Sequence, residues 1–389
     1  MANGSMRLDL RNSLRQEPVI LTLLTILAVL FFLAVSGLSH IYHTQQQSLG
    51  NRWFDRGVTD LNAQRFERAV SYFRTALLYS RDDYSYEFNL AEALIGLKRT
   101  DEAYAYLINL WDEEPENGLV NLELARIAAH KHETDKALRY YHNAIYATWS
   151  DSDEELERRT TRLELIDYLL GIGARTQAES ELIALAANLG DDAAQQLRVA
   201  DLFARIKDYE HALAEYRLVL ASDRNNPAAL AGLGMSAFQL SRYDVARRYL
   251  EAAAAANPND SQSAELLKTT ELVLRLDPYQ RQLSVAERNR IVIEGFAAAG
   301  ERVKACSPAG GVPEQMPNSS APNNLAAKRA KWEQMKNQVT EQGLRRNPDL
   351  VDAAMDLVFD IERQSNATCG PASGADLALL LIARLHEGN

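Results

Sequence analysis

Hydrophobic and polar positions follow two different rules along this chain. Residues Pro18 to Val35 (PVILTLLTILAVLFFLAV) carry no charged side chain, and a milder run, Ser36 to Tyr42, follows. As a helix the first stretch alone reaches about 27 Å, close to the ~30 Å hydrocarbon core of a bilayer. The pattern predicts a transmembrane helix over 18–42 behind a short N-terminal segment, 1–17, with Tyr42 at the interface. From about residue 50 the rule changes. Apolar residues now recur at three- and four-residue spacing with polar residues between, the signature of helices that bury one face. The expected class is all-α.

The helical region carries a longer period. Ala69, Ala103, Ala137, Ala178, Ala212 and Ala246 are separated, by subtraction, by 34, 34, 41, 34 and 34 residues. Twelve positions before each stands Gly57, Ala91, Ala125, Ile166, Ala200 or Gly234. Four positions after each stands Phe73, Leu107, Tyr141, Leu182, Tyr216 or Leu250. Small residues on two facing helices let them approach closely, and the larger residue fills the gap beside them. Pro115 and Pro258 stand where a second helix must stop. One such pair cannot bury its apolar face alone, so the pairs must stack. The 41-residue step holds seven extra residues near 150–158 (Trp149 to Leu156, WSDSDEEL). There Asp151, Asp153, Glu154, Glu155 and Glu157 read as a solvated acidic loop that suits the N-terminus of the next helix.

This 34-residue period resembles the tetratricopeptide repeat, a pair of antiparallel helices. Trp53, Gly57, Phe66, Ala69, Phe73 and Ala76 match the repeat pattern in order, as do Leu233, Gly234, Tyr243, Ala246, Leu250, Ala253 and Pro258. About six repeats fill residues 50–260, and the fourth, with Ile166 at a small position, is degenerate. The resemblance implies a solenoid whose first helices line a concave groove for a peptide or partner helix. Carried over by position, the groove residues are Asn51, Phe54, Val58, Leu61 and Asn62 in the first repeat. The second supplies Phe88, Asn89, Glu92 and Ile95, and the fifth Leu197, Arg198 and Asp201. Asn89 falls where members of the family use Asn to hold a ligand backbone. The paired lysines that chaperone-binding members use to clamp a carboxylate are absent, which argues against capture of an acidic C-terminal tail.

After the repeats, Ser261 to Leu276 and Val285 to Ala299 read as helices that cap the last repeat, over 261–305. Residues 306–324 (CSPAGGVPEQMPNSSAPNN) read as a flexible linker. A C-terminal helical region, 325–389, follows, with helices over 325–342, 348–364 and Gly374 to Glu387, the last N-capped by Asp376. The two cysteines, Cys306 and Cys369, both lie in loop-like settings. In an oxidising compartment they form a candidate disulfide; as unpaired thiols they carry no function. The segment QSNATCGPASGADL, Gln364 to Leu377, resembles the nucleophile motif of papain-like cysteine peptidases of the C39 type. That resemblance implies Cys369 as nucleophile, yet His386 is the only later His, on the same predicted helix.

Composition narrows the function. A net charge of -11 opposes a general nucleic-acid role, because a phosphate backbone is met by excess Lys and Arg. No Cys-x-x-Cys pair occurs and the seven His are scattered, so neither a metal nor a cofactor is expected. No phosphate-binding glycine loop, zinc-protease or serine-hydrolase motif occurs either. The reading is a non-enzymatic scaffold, with other proteins or peptides as groove partners and the lipid bilayer as partner of the N-terminal helix. Arg7, Arg11 and Arg15 precede the apolar run and no Lys or Arg follows until Arg52, which orients the N-terminus to the cytoplasm and the repeats to the extracytoplasmic side. Such an arrangement suits an inner-membrane protein of a bacterial envelope. A cytoplasm-facing adaptor, and a protein released after cleavage near Ala34 and Ser36, remain as alternatives.

Overall fold

The computed structural model describes residues 6–149, 154–190, 192–306 and 325–386, the side chains from residue 21 on; among them there is no named strand. Asp151, Asp153 and the linker beyond Cys306 lie outside the described residues. The chain divides into two compact units, Met1–Gly173 and Ala174–Asn389.

In the first unit, α1 (Met6–Asn62) and α2 (Phe66–Leu77) are followed by α3 (Tyr84–Gly96) and α4 (Thr100–Glu113). Then come α5 (Gly118–His130), α6 (Thr134–Tyr146) and α7 (Glu154–Gly171). The sequence pattern leaves residues 43–49 between two elements, but α1 runs through them without a break, for about 85 Å at 1.5 Å per residue. No Pro occurs between Tyr42 and Asn62 of α1. Its Gly50 is needed for space: a Cβ there would lie 2.8 Å from the Tyr86 hydroxyl. Tyr86 also donates to Asn51 Oδ1 at 2.5 Å, fastening α1 to α3.

The repeat register is visible in the core. All six spaced alanines, from Ala69 to Ala246, are fully buried, and so are Phe73, Leu107, Leu182 and Leu250 beside them. Gly57 is required, because a Cβ would meet the Phe73 ring at 2.4 Å. Recurring devices start and stop the first helices. Asp83, Asn117, Asp192, Asn226 and Asp260 cap N-termini by accepting from backbone N–H groups. Gln64, Lys98, His132, Lys207 and Ser241 have φ between 56° and 66°, and Gly173 has φ 78°. These six follow the same 34, 34, 41, 34, 34 spacing. In the five non-glycine cases the next N–H reaches back to a carbonyl five residues earlier, as Arg99 does to Leu94 at 2.9 Å. This is the Schellman arrangement, which favours Gly in the left-handed position. Lys98→Gly should therefore raise stability by about 1 kcal/mol, read as a higher urea midpoint; a lowered midpoint would show that Lys98 holds more than its turn.

Two features of the insertion depart from a solvated loop. Trp149 is buried, its ring against Gly118, where a Cβ would approach within 2.5 Å, and its Nε1 donates to the Ala144 carbonyl at 3.0 Å. Thr148 and Gly118 form backbone bonds that tie the segment to the start of α5. Glu154, Glu155 and Glu157 occupy the first turn of α7, where carboxylates oppose the positive end of the helix.

The second unit comprises α8 (Arg175–Ala186), α9 (Ala193–Arg205), α10 (Tyr209–Ser222), α11 (Pro227–Gln239), α12 (Tyr243–Ala256) and α13 (Ser261–Leu276). A bundle of α14 (Val285–Cys306), α15 (Leu325–Met335), α16 (Glu341–Arg346), α17 (Asp349–Thr368) and α18 (Gly374–His386) follows. The expected helix over 325–342 ends at Met335, and Thr340 caps a separate short helix. Asp376 lies within the first turn of α18 rather than capping it. Tyr243, Val273 and Leu276 share one core with Val292, Phe296, Trp332 and Val358, so the bundle covers the end of this repeat array. Trp332 stacks on Phe296, donates to its carbonyl at 2.7 Å and lies over Gly300.

Candidate partner-binding groove

The first helices of unit one repeat their inward positions with the period of the sequence. Asp55, Asn89, Glu123 and Glu164 form one column at steps of 34, 34 and 41 residues; Val58, Glu92, Arg126 and Asp167 form the next. A cavity of about 500 Å³ opens on this surface, lined by Leu61, Asn62, Glu92, Ile95, Gly96, Glu123 and Arg126. Leu61, Asn62, Glu92 and Ile95 are groove positions expected from the sequence. Glu123 and Arg126 extend the site to α5, one repeat beyond the expected positions. The 34-residue step from Asn89 and Glu92 could have found them.

Arg126 is the hub of this surface. Its Nη1 donates to Glu123 Oε1 at 2.5 Å, its Nε to Glu164 Oε1 at 2.9 Å and its Nη2 to Glu164 Oε2 at 2.8 Å. Tyr141 adds a hydroxyl donor to Glu164 at 2.9 Å. The hydrogen bonds that Arg126 donates to Glu164 hold it firmly protonated. Burial pushes Glu123 above the usual carboxylate range, with Arg126 opposing. Burial, and then the Glu123 charge, push Glu92 up as well. One guanidinium is thus shared by two carboxylates while a third, Glu92, has no ion-pair partner within 4 Å among the described residues.

Other expected groove residues have different surroundings. Phe88 is buried within the array and stacks on Tyr84, so it presents little surface to a ligand. A bulky aromatic at an inward position is taken up by the neighbouring helix rather than left open. Phe54 stacks between Phe73 and Tyr86. Asn89 donates one of its two amide N–H groups back to the Ser85 carbonyl at 2.9 Å. Asn51 is the acceptor for Tyr86, and Val58 is half-buried on α1. Leu197, Arg198 and Asp201 lie on α9 in the second unit. There Asp201 accepts from the Tyr216 hydroxyl at 2.6 Å.

Cys306 and Cys369 are bonded as a disulfide, with Cα atoms 5.8 Å apart, joining the last residue of α14 to the C-cap of α17. His386 is engaged elsewhere: its Nε2 lies 3.2 Å from Asp277 Oδ1 and its ring packs on Tyr279. The Cys369–His386 pairing that a papain-like peptidase needs is therefore not formed.

On α1, the large apolar side chains from Leu21 to Tyr42 are between 51% and 72% exposed. This helix, near the N-terminus, is long and apolar enough to cross a membrane.

A tetratricopeptide-repeat family model matches residues 54–113 and 231–267, one stretch in each unit. No curated protein matches. Among solved structures, pilF of Pseudomonas aeruginosa is 17% identical over 57% of this chain and 97% of its own, with a TM-score of 0.39. YrrB, a repeat protein described as having an unusual peptide-binding site, is 15% identical over 49% of this chain and 95% of its own, TM-score 0.37. PilW, described as a type IV pilus biogenesis factor, is 14% identical over 56% and 98%, TM-score 0.38. Such low similarity carries over neither ligand nor process. The family match places tetratricopeptide repeats at residues 54–113 and 231–267, and the buried alanines of both units keep the same register.

Proposed function

We propose that the chain is a membrane-anchored scaffold that holds a polypeptide partner in the groove of its first unit, on the extracytoplasmic side. The observation that carries this reading is α1. Its apolar half is unburied from Leu21 to Tyr42, and the same helix continues as the first repeat helix. Apolar surface of that size is unfavourable in water and favourable in hydrocarbon. The continuous helix then fixes the groove's distance from the bilayer: from Tyr42 to Leu61 is about 28 Å along the axis. Arg7, Arg11 and Arg15 ahead of the run favour an N-terminus in the cytoplasm. The Cys306–Cys369 bond is compatible with an oxidising compartment.

The test is protease protection of a C-terminal tag in cells with a permeabilised outer layer and an intact inner membrane. Digestion of the tag, with the full-length chain retained in the membrane pellet after alkaline extraction, is expected. Protection of the tag would overturn the orientation in favour of a cytoplasm-facing adaptor. Release of a shortened chain into the soluble fraction would point instead to cleavage after the apolar run.

A further inference from the structure

We propose that the groove of the first unit selects a basic segment of a partner polypeptide, seating one Lys or Arg side chain between Glu92 and Glu123. This rests on the reading that the groove binds a polypeptide at all. The cavity has the shape and chemistry for that side chain. Leu61 and Ile95 supply apolar wall for an aliphatic stem, and Glu92 and Glu123 supply acceptors for its charged end. Within the two columns Asp55, Glu92, Glu123 and Glu164 accompany one cation, Arg126. That cation is already committed to Glu123 and Glu164, so it opposes the Glu92 charge only at longer range and offers no clamp for an acidic ligand. Burial raises the proton affinity of both Glu92 and Glu123, and Arg126 opposes this only in part. A partner's ammonium or guanidinium group supplies what the site lacks. An anionic segment would meet the same carboxylates as repulsion.

The experiment measures binding of three fluorescent peptides to the full-length protein in detergent. The peptides have one backbone pattern, with Lys, Gln or Glu at the variable positions. The protein is compared with Glu92→Gln/Glu123→Gln, with Glu92→Gln alone should the double variant fold poorly, and with Ile95→Lys. Glu251→Gln/Glu265→Gln, two exposed carboxylates of the second unit, makes the same change in net charge and serves as control. The Lys peptide should bind best. Its affinity should fall about tenfold or more in the double groove variant, stay near wild type in the control, and weaken steeply with salt. Equal loss in groove variant and control would overturn the proposal by reducing the effect to net charge. If the Gln or Glu peptide binds as well as the Lys peptide and Ile95→Lys abolishes that binding, the groove reading stands and the basic preference fails. If Ile95→Lys leaves all three peptides unaffected, the groove reading itself fails.

Discussion

Replacing Glu362 by Gln should stabilise the C-terminal bundle, and the gain should grow as pH rises from about 5 to 8. Glu362 on α17 is fully buried, and neither of its carboxyl oxygens accepts a hydrogen bond. Burial pushes its pKa up to about 8; Asp376 on α18 pushes in the same direction, and Arg302 on α14 opposes them only in part. Arg302 has other obligations: its Nη2 donates to the Gly370 carbonyl at 2.8 Å and its Nε lies 3.7 Å from Asp376. The folded state therefore keeps a proton that the unfolded chain releases near the ordinary carboxylate value of 4.5. A raised acid of this kind contributes its full stability below the unfolded pKa and loses it progressively as pH rises through the folded one. Gln mimics the protonated acid and does not titrate. Between wild type and Glu362→Gln the gap should be near zero at pH 4.5, reach about 3 kcal/mol at pH 7 as an upper figure, and level off above pH 8. Urea unfolding of both proteins across this pH range checks it. A gap independent of pH would mean that Glu362 is ionised in the fold and neutralised by Arg302.

The same bundle marks the limit of what the sequence carried. The repeat register was readable because it rests on residue types that packing demands. The close-contact position of the first helix is Ala or Gly in every repeat but the fourth, where it is Ile166, and all six second-helix alanines are fully buried. The left-handed turns share that register but not a residue type. Gln64, Lys98, His132, Lys207 and Ser241 are held there by backbone hydrogen bonds, which leave no mark on the side chain. Trp332 over Gly300 is a contact between residues 32 positions apart, outside any helical or repeat period, so no pattern announces it. Leu61, Asn62, Glu92 and Ile95, expected from their position in the repeat, line one cavity. Phe88, expected on the same grounds, is buried, because its place in the period says nothing of how a large ring is accommodated. The charge character of the cavity was in the sequence too, at Glu123, Arg126 and Glu164. Glu123 and Arg126 follow from the 34-residue step, and Glu164 only once the insertion lengthens the last step to 41 residues.

Removing the Cys306–Cys369 bond should have the other large effect, a loss of 2–4 kcal/mol confined to the second unit. The bond closes a span of 63 residues that contains α15, α16 and all of α17. Restricting that span in the unfolded chain is worth about 4 kcal/mol in the chain-entropy treatment, and measured values commonly fall below it. The bundle has packing to fall back on. Trp332 against Phe296, and Leu379 close to Gly295, hold α14 to its neighbours without the sulfur atoms. Cys306→Ser/Cys369→Ser should accordingly fold, but unfold at lower urea concentration. Reductant should bring the wild type down to the variant's midpoint while leaving the variant unmoved. Hydrogen exchange should then accelerate first at the C-terminal end of α17, where Cys369 forms the cap, and not in α2 to α6 of the first unit. If reductant leaves the wild-type midpoint unchanged and both thiols of untreated protein label freely, the cysteines are unpaired in the cell. The compartment would then be reducing, and the extracytoplasmic orientation would lose its second support.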